Sequence, residues 1–117
     1  MSNSFTKQFR LTSEDDIRQL HKKGRYYKES GLLFLAMKNN LSHGRLLIAA
    51  PKRFCKLSIE RNRFKRLVRE SFRLNQKLLS GYDFKVSING KINGNIPSFN
   101  NIQNAIILVA ERFNQFR

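Results

Sequence analysis

The chain has 117 residues, 23 of them Lys or Arg against 8 Asp or Glu, for a formal net charge of +15. That length suits one domain with one core, and 40% hydrophobic residues, ten Phe among them, exclude an intrinsically disordered basic tail. With one cysteine, Cys55, no internal disulfide forms. No apolar run approaches the ~18–20 residues that span a bilayer, so a cytoplasmic protein without a membrane partner is expected.

In chain order, residues 1–9 read as an arm that carries Phe5 and Phe9. Thr12 and Ser13 followed by Glu14, Asp15 and Asp16 form a helix start, a hydroxyl cap and then acids at the positive end of the helix dipole. This helix runs through Ile17 and Leu20 to about Lys23 and stops at Gly24. Capping explains the three acids better than a magnesium cluster does. Arg25–Lys28 and Leu32–Met37 read as strands, and Arg45–Ala50 as another. The short polar turn between the last two predicts that they pair as an antiparallel hairpin. Pro51–Leu57 is a basic loop.

Ser58–Arg73, SIERNRFKRLVRESFR, carries the strongest signal. At 3.6 residues per turn, Asn62, Lys65, Arg66, Arg69 and Arg73 share one helix face, and Phe64, Leu67, Val68, Ser71 and Leu78 the opposite one. Ser58 is the expected cap and Leu79 the approximate end, with Ser80-Gly81 as the stop. A cationic front on an apolar back suits a polyanion, and the Asn62 amide suits a base or sugar edge. Tyr82–Ile88 alternates as a strand, and Asn89–Pro97 is a turn-rich loop in which Ile-Asn-Gly, first at 88–90, recurs at 92–94. Ser98 caps a last helix whose stripe Phe99, Ile102, Ile106, Val109, Phe113 and Phe116 packs on the sheet. The result is a single α+β domain in the order α-β-β-β-α-β-α.

Catalytic chemistry is sparse. His21 and His43 have no Cys, His or carboxylate at metal-ligand spacing, and neither a nucleophile elbow nor a phosphate loop is present. No helix-turn-helix or zipper context points to DNA. Cations beside a sheet bearing Phe and Tyr point to unpaired or structured RNA.

The run Arg61-Asn62-Arg63-Phe64-Lys65-Arg66-Leu67-Val68-Arg69-Glu70-Ser71-Phe72 closely resembles the signature helix of the protein subunit of bacterial ribonuclease P. Arg10-Leu11 before the acid-capped helix, Arg45–Arg53 leading into paired basic residues, and Tyr82-Asp83-Phe84 resemble its flanks. The resemblance implies a mainly antiparallel four-stranded sheet with a rare left-handed βαβ crossover, against the usual hand. It implies that the RNA subunit, with Mg2+, hydrolyses the phosphodiester at the 5′ end of mature tRNA. The protein then binds that catalytic RNA and the single-stranded 5′ leader of precursor tRNA, without catalytic residues, metal or cofactor of its own.

By the same resemblance, Arg61, Asn62, Arg63, Lys65, Arg66 and Arg69 match the motif that contacts the catalytic RNA. Lys52 and Arg53 match the basic pair on that surface, and the cationic face adds Arg73. The leader cleft lies between the first helix and the sheet. Ile17 and His21 stand here at the positions of its aromatic residues, with Arg10, Phe9, Tyr26 and Tyr27 as further candidates. Leu47 and Pro51 depart from the small residues expected at their positions. The alternative is a ribosomal-protein-like structural RNA binder, which would show similar charge and element order.

Overall fold

A computed structural model describes residues 7–91 and 95–114. Most of the expected N-terminal arm, the second Ile-Asn-Gly and Phe116 lie outside the described residues. Helix α1 is Glu14–Lys23, strands β1 to β3 are Arg25–Glu29, Leu32–Lys38 and Arg45–Ala49, and helix α2 is Ser58–Leu74. A one-turn helix α3, Gln76–Leu79, strand β4, Tyr82–Ile88, and helix α4, Phe99–Asn114, complete the order.

The sheet order is β1-β2-β4-β3. β1 and β2 form an antiparallel hairpin around Ser30-Gly31, both at positive φ (53° and 76°), the mirror-image turn whose twist matches a two-residue loop. β2 pairs antiparallel with β4, and β3 pairs parallel with β4. The sheet is therefore mainly antiparallel, and β3-α2-β4 is its parallel crossover. The expected β2–β3 hairpin does not form. β4 lies between those strands, because its own alternation, Tyr82, Phe84, Val86 and Ile88, buries best at the sheet centre. The outer edge of β3 is covered by the residues after a 3-10 turn at Lys7–Phe9. Arg10 bridges Leu46, and the Leu11 amide donates to the Leu46 carbonyl at 2.9 Å.

Period-two alternation gives the sheet two unequal faces. Leu32, Phe34, Ala36, Leu46, Tyr82, Phe84, Val86 and Ile88 pack with Phe64, Val68 and Phe72 of α2 and Ile102, Ile106, Val109 and Phe113 of α4. On the other face Leu11, Leu20 and Leu35 form a small cluster with Ile17, Met37 and Leu47 under α1. Gly24 ends α1 with extended rather than left-handed backbone (φ −70°). A Cβ there would meet the Leu20 carbonyl oxygen at 2.5 Å and Leu35 Cδ1 at 2.9 Å, so close packing demands this glycine.

Two expectations for the central helix change. Leu57 occupies the cap position of α2, without a side-chain cap bond, and Ser58 is already helical. The helix also breaks at Asn75, whose amide donates to the Ser71 carbonyl at 2.7 Å and to Gln103 Oε1 on α4 at 2.9 Å. Ser71 donates to that same Gln103 oxygen. The break alters the phase, so Leu79 is buried while Leu78, expected on the apolar back, is 36% exposed.

Candidate nucleic-acid interface

The four buried residues of α2, Phe64, Val68, Ser71 and Phe72, recur at steps of four, three and one and set the helix orientation on the core. Asn62, Arg63 and Arg66 are consequently exposed, and Lys65 and Arg69 lie half-buried along the flank toward β3. Lys65 and Arg69 line a cleft of about 170 Å³ with Arg10, Thr12 and Leu46–Ile48, and no carboxylate is among its lining residues. Burial first, then the charges of Arg10 and Arg66, push the Arg69 guanidinium below its usual range. Cations held this close to one another favour an anion between them. Arg10 thus joins the α2 face, not the opposite side of the sheet with Ile17 and His21.

The other basic residues differ in what they already hold. Arg61 donates from Nη1 to the carbonyls of Cys55 (3.0 Å) and Lys56 (2.7 Å), tying the basic loop to the start of α2. Arg73 is paired with Glu70 one turn back. Lys52 and Arg53 are exposed on the loop, with the Arg53 guanidinium 4.7 Å over the Phe54 ring. Arg63 lines a separate groove with Ile59, Leu67, Ile96 and Phe99. Cys55 is fully buried, and burial, followed by the nearby Glu60, raises its thiol above the usual range, which makes it an inert loop thiol.

The second face presents different chemistry. Tyr26, Leu35, Lys85 and Leu47 form a cross-strand row. Tyr26 is 59% exposed, and His21 of α1 overhangs the row with Nε2 at 2.7 Å from Lys85 Nζ. Ile17 packs half-buried beside them. Two expected members of this cleft lie elsewhere. Tyr27, next in sequence to Tyr26, points to the opposite face and stacks edge-on with Phe113 at 6.3 Å. Phe9 also packs toward the main core, with its ring 5.5 Å from that of His43.

Sequence reasoning missed two features. Asp83, 1% exposed, accepts from Arg45 Nε (2.8 Å) and Nη2 (2.9 Å) and from the Asn39 amide (3.0 Å), while Arg45 Nη1 reaches Asp16 at 3.2 Å. The acid Asp16, read as a capping residue, thereby also anchors α1 to the sheet. The second feature is Lys85. Asp83, Lys85 and Ser87 are the polar phase of β4, so the face was visible in the alternation, but the partner on α1 was not.

The family model for ribonuclease P matches residues 5–113 of this chain. The chain belongs to the ribonuclease P protein family. The ribonuclease P protein component of Vibrio cholerae is 40% identical over 83 residues, 71% of this chain and 70% of that one. The same component of Pseudomonas putida is 53% identical over 55 residues, 47% and 41% of the two chains. Among solved structures, the RNase P protein of Thermotoga maritima superposes with a TM-score of 0.77 at 27% identity, covering 88% of this chain and 98% of that one. A Staphylococcus aureus RNase P protein, at 23% identity and TM-score 0.78 over 92% and 90%, shares the fold. Family membership replaces the ribosomal-protein-like alternative: the role is that of the protein subunit of ribonuclease P in tRNA processing.

Proposed function

We propose that this protein subunit uses the two sides of its sheet for two RNAs. The front of α2, with Asn62, Arg63, Lys65, Arg66 and Arg69 and with Arg10 across the cleft, docks on the catalytic RNA, and Lys52 and Arg53 extend that surface. The α1 side, with Ile17, His21 and Tyr26, receives the single-stranded 5′ leader of precursor tRNA. Arg61 organises the loop beside the dock, and Arg73, paired with Glu70, adds less.

The observation that carries this reading is the cleft that Arg10, Lys65 and Arg69 line together, three cations along one surface. Polyphosphate is the partner that lowers the energy of such a cluster. An exposed Tyr beside aliphatic sheet residues suits stacking of an unpaired base. Among the described residues, no group of three or more His, Cys, Asp or Glu is placed to hold a metal ion, and no helix is long and apolar enough to cross a membrane. In this reading Mg2+ and hydrolysis belong to the RNA subunit, and the assembly is cytoplasmic.

The test is cleavage of precursor tRNA by a cognate catalytic RNA at low magnesium. Protein alone is expected to leave the substrate intact, and adding it to the RNA to lower the magnesium requirement. An unchanged requirement would overturn the reading.

A further inference from the structure

On the α1 side of the sheet, two nitrogen bases sit at hydrogen-bond distance with no acid between them. Lys85 Nζ lies 2.7 Å from His21 Nε2. An ammonium has no acceptor, so at this distance it donates to an unprotonated Nε2, which leaves the His21 proton on Nδ1. The contact fixes a half-buried cation at the centre of the sheet. One of its three N–H donors is spent on the imidazole, leaving donors for an anionic oxygen. Tyr26 and Leu47 flank the same row, offering an aromatic face within reach of the charge.

We propose that Lys85 and His21 together grip a phosphate of the single-stranded leader: as it binds, His21 takes up a proton on Nε2, and the Lys85–His21 hydrogen bond gives way to one from each side chain to the phosphate oxygens. This rests on the leader-cleft reading above and adds to it a residue, a ligand group and a pH dependence. In the protein without RNA, burial first and the Lys85 charge second hold His21 below its usual value of 6.5, and burial lowers Lys85 as well. A phosphate reverses the second effect. Its negative charge favours imidazolium, so the His21 value rises in the complex. A group whose affinity for protons rises on binding makes binding tighter as pH falls between the two values.

The other groups facing His21 do not supply this response. Arg45 and Asp83 are locked to each other and to Asp16. Arg18 on α1 pairs with Asp15, and β2 contributes Leu35 and Met37. Lys28 and Tyr26 share this face on β1, and Lys22 follows His21 on α1.

The experiment compares the affinity of the holoenzyme for precursor tRNA with and without its leader, from about pH 7.5 to about pH 5.5. The ratio of the two affinities isolates the leader and cancels effects on the catalytic RNA. In the unaltered protein the ratio is expected to rise as pH falls, by at most about tenfold per pH unit for one linked proton. His21→Gln should flatten the profile, and Lys85→Met, which keeps the packing of the stem, should lower the ratio at every pH. With only two histidines in the chain, NMR titration gives a second readout. A short single-stranded oligoribonucleotide should raise the His21 midpoint, and Lys85→Met should raise it in the protein alone. A flat ratio indifferent to both substitutions, while Tyr26→Ala still lowers it, would overturn the His21–Lys85 grip and leave the leader cleft standing. A ratio indifferent to Tyr26→Ala as well would sink the cleft and the grip together.

Discussion

The two faces of the sheet solve different problems. The face under α2 and α4 buries a continuous cluster that includes Phe34, Phe64, Phe72 and Phe84, all fully excluded from water. The face under α1 has a cluster of three buried leucines and depends for its attachment on the chain Asp16–Arg45–Asp83. The thick side supplies stability and can afford a helix whose front is crowded with cations. The thin side leaves Tyr26 exposed and Lys85 and Leu47 half-buried beside a single helix, and it is the side proposed above to receive the leader. The pleat of one sheet thus separates the thick core from the face proposed for the leader.

The largest expected effect tests the thick side. Phe72→Ala removes a fully buried ring and should destabilise the fold by about 3–5 kcal/mol, read by thermal or denaturant unfolding. If it cost no more than a surface change, the assignment of the apolar back of α2 would be wrong. Next comes the tie holding the thin side. Asp83→Ala leaves Arg45 with Asp16 alone, and because Arg45 is also partly in water, the ~3–5 kcal/mol of a broken buried pair is an upper bound. Hydrogen exchange should report α1 loosening before the main core does.

Smaller in stability but large in binding is the front of α2. Lys65→Ala or Arg66→Ala should leave stability within about 0.5 kcal/mol. Each should weaken binding to the catalytic RNA and flatten the salt dependence by roughly 0.7–0.9 in log–log slope per lost phosphate contact. Equal thermal destabilisation by these and by Phe72→Ala would erase the distinction between the two sides of the helix. The smallest effect is expected at Arg73. Its charge is already balanced by Glu70, so Arg73→Ala should weaken RNA binding less than Arg66→Ala in the same titration. A loss as large as that of Arg66 would mean the ion pair opens to meet RNA.

What the sequence made legible was local. The 3.6-residue period of Phe64, Val68 and Phe72 against Lys65, Arg66 and Arg69 needs only helix geometry to read, and it held from Ser58 to Leu74. It failed at Leu78, because Asn75 breaks the helix through bonds to Ser71 and to Gln103 on α4, a partner 28 residues away. Strand pairing failed for the same kind of reason. β2 and β3 are neighbours in sequence, but β4, arriving later, separates them. The cleft residues show the limit most sharply: alternation says that Tyr26 and Tyr27 face opposite ways, yet nothing in the local pattern says which one faces α1.

The sequence by itself determined the basic, apolar-backed helix, the absence of familiar catalytic motifs and the family to which they point, because periodicity and residue chemistry are properties of short stretches. Only the tertiary structure decided that Arg10 stands with Lys65 and Arg69, that Asp83 is buried against Arg45, and that His21 meets Lys85 across 64 residues. Those meetings depend on strand order and on which face each helix covers, and both are set by the burial of the whole chain together rather than by any one segment.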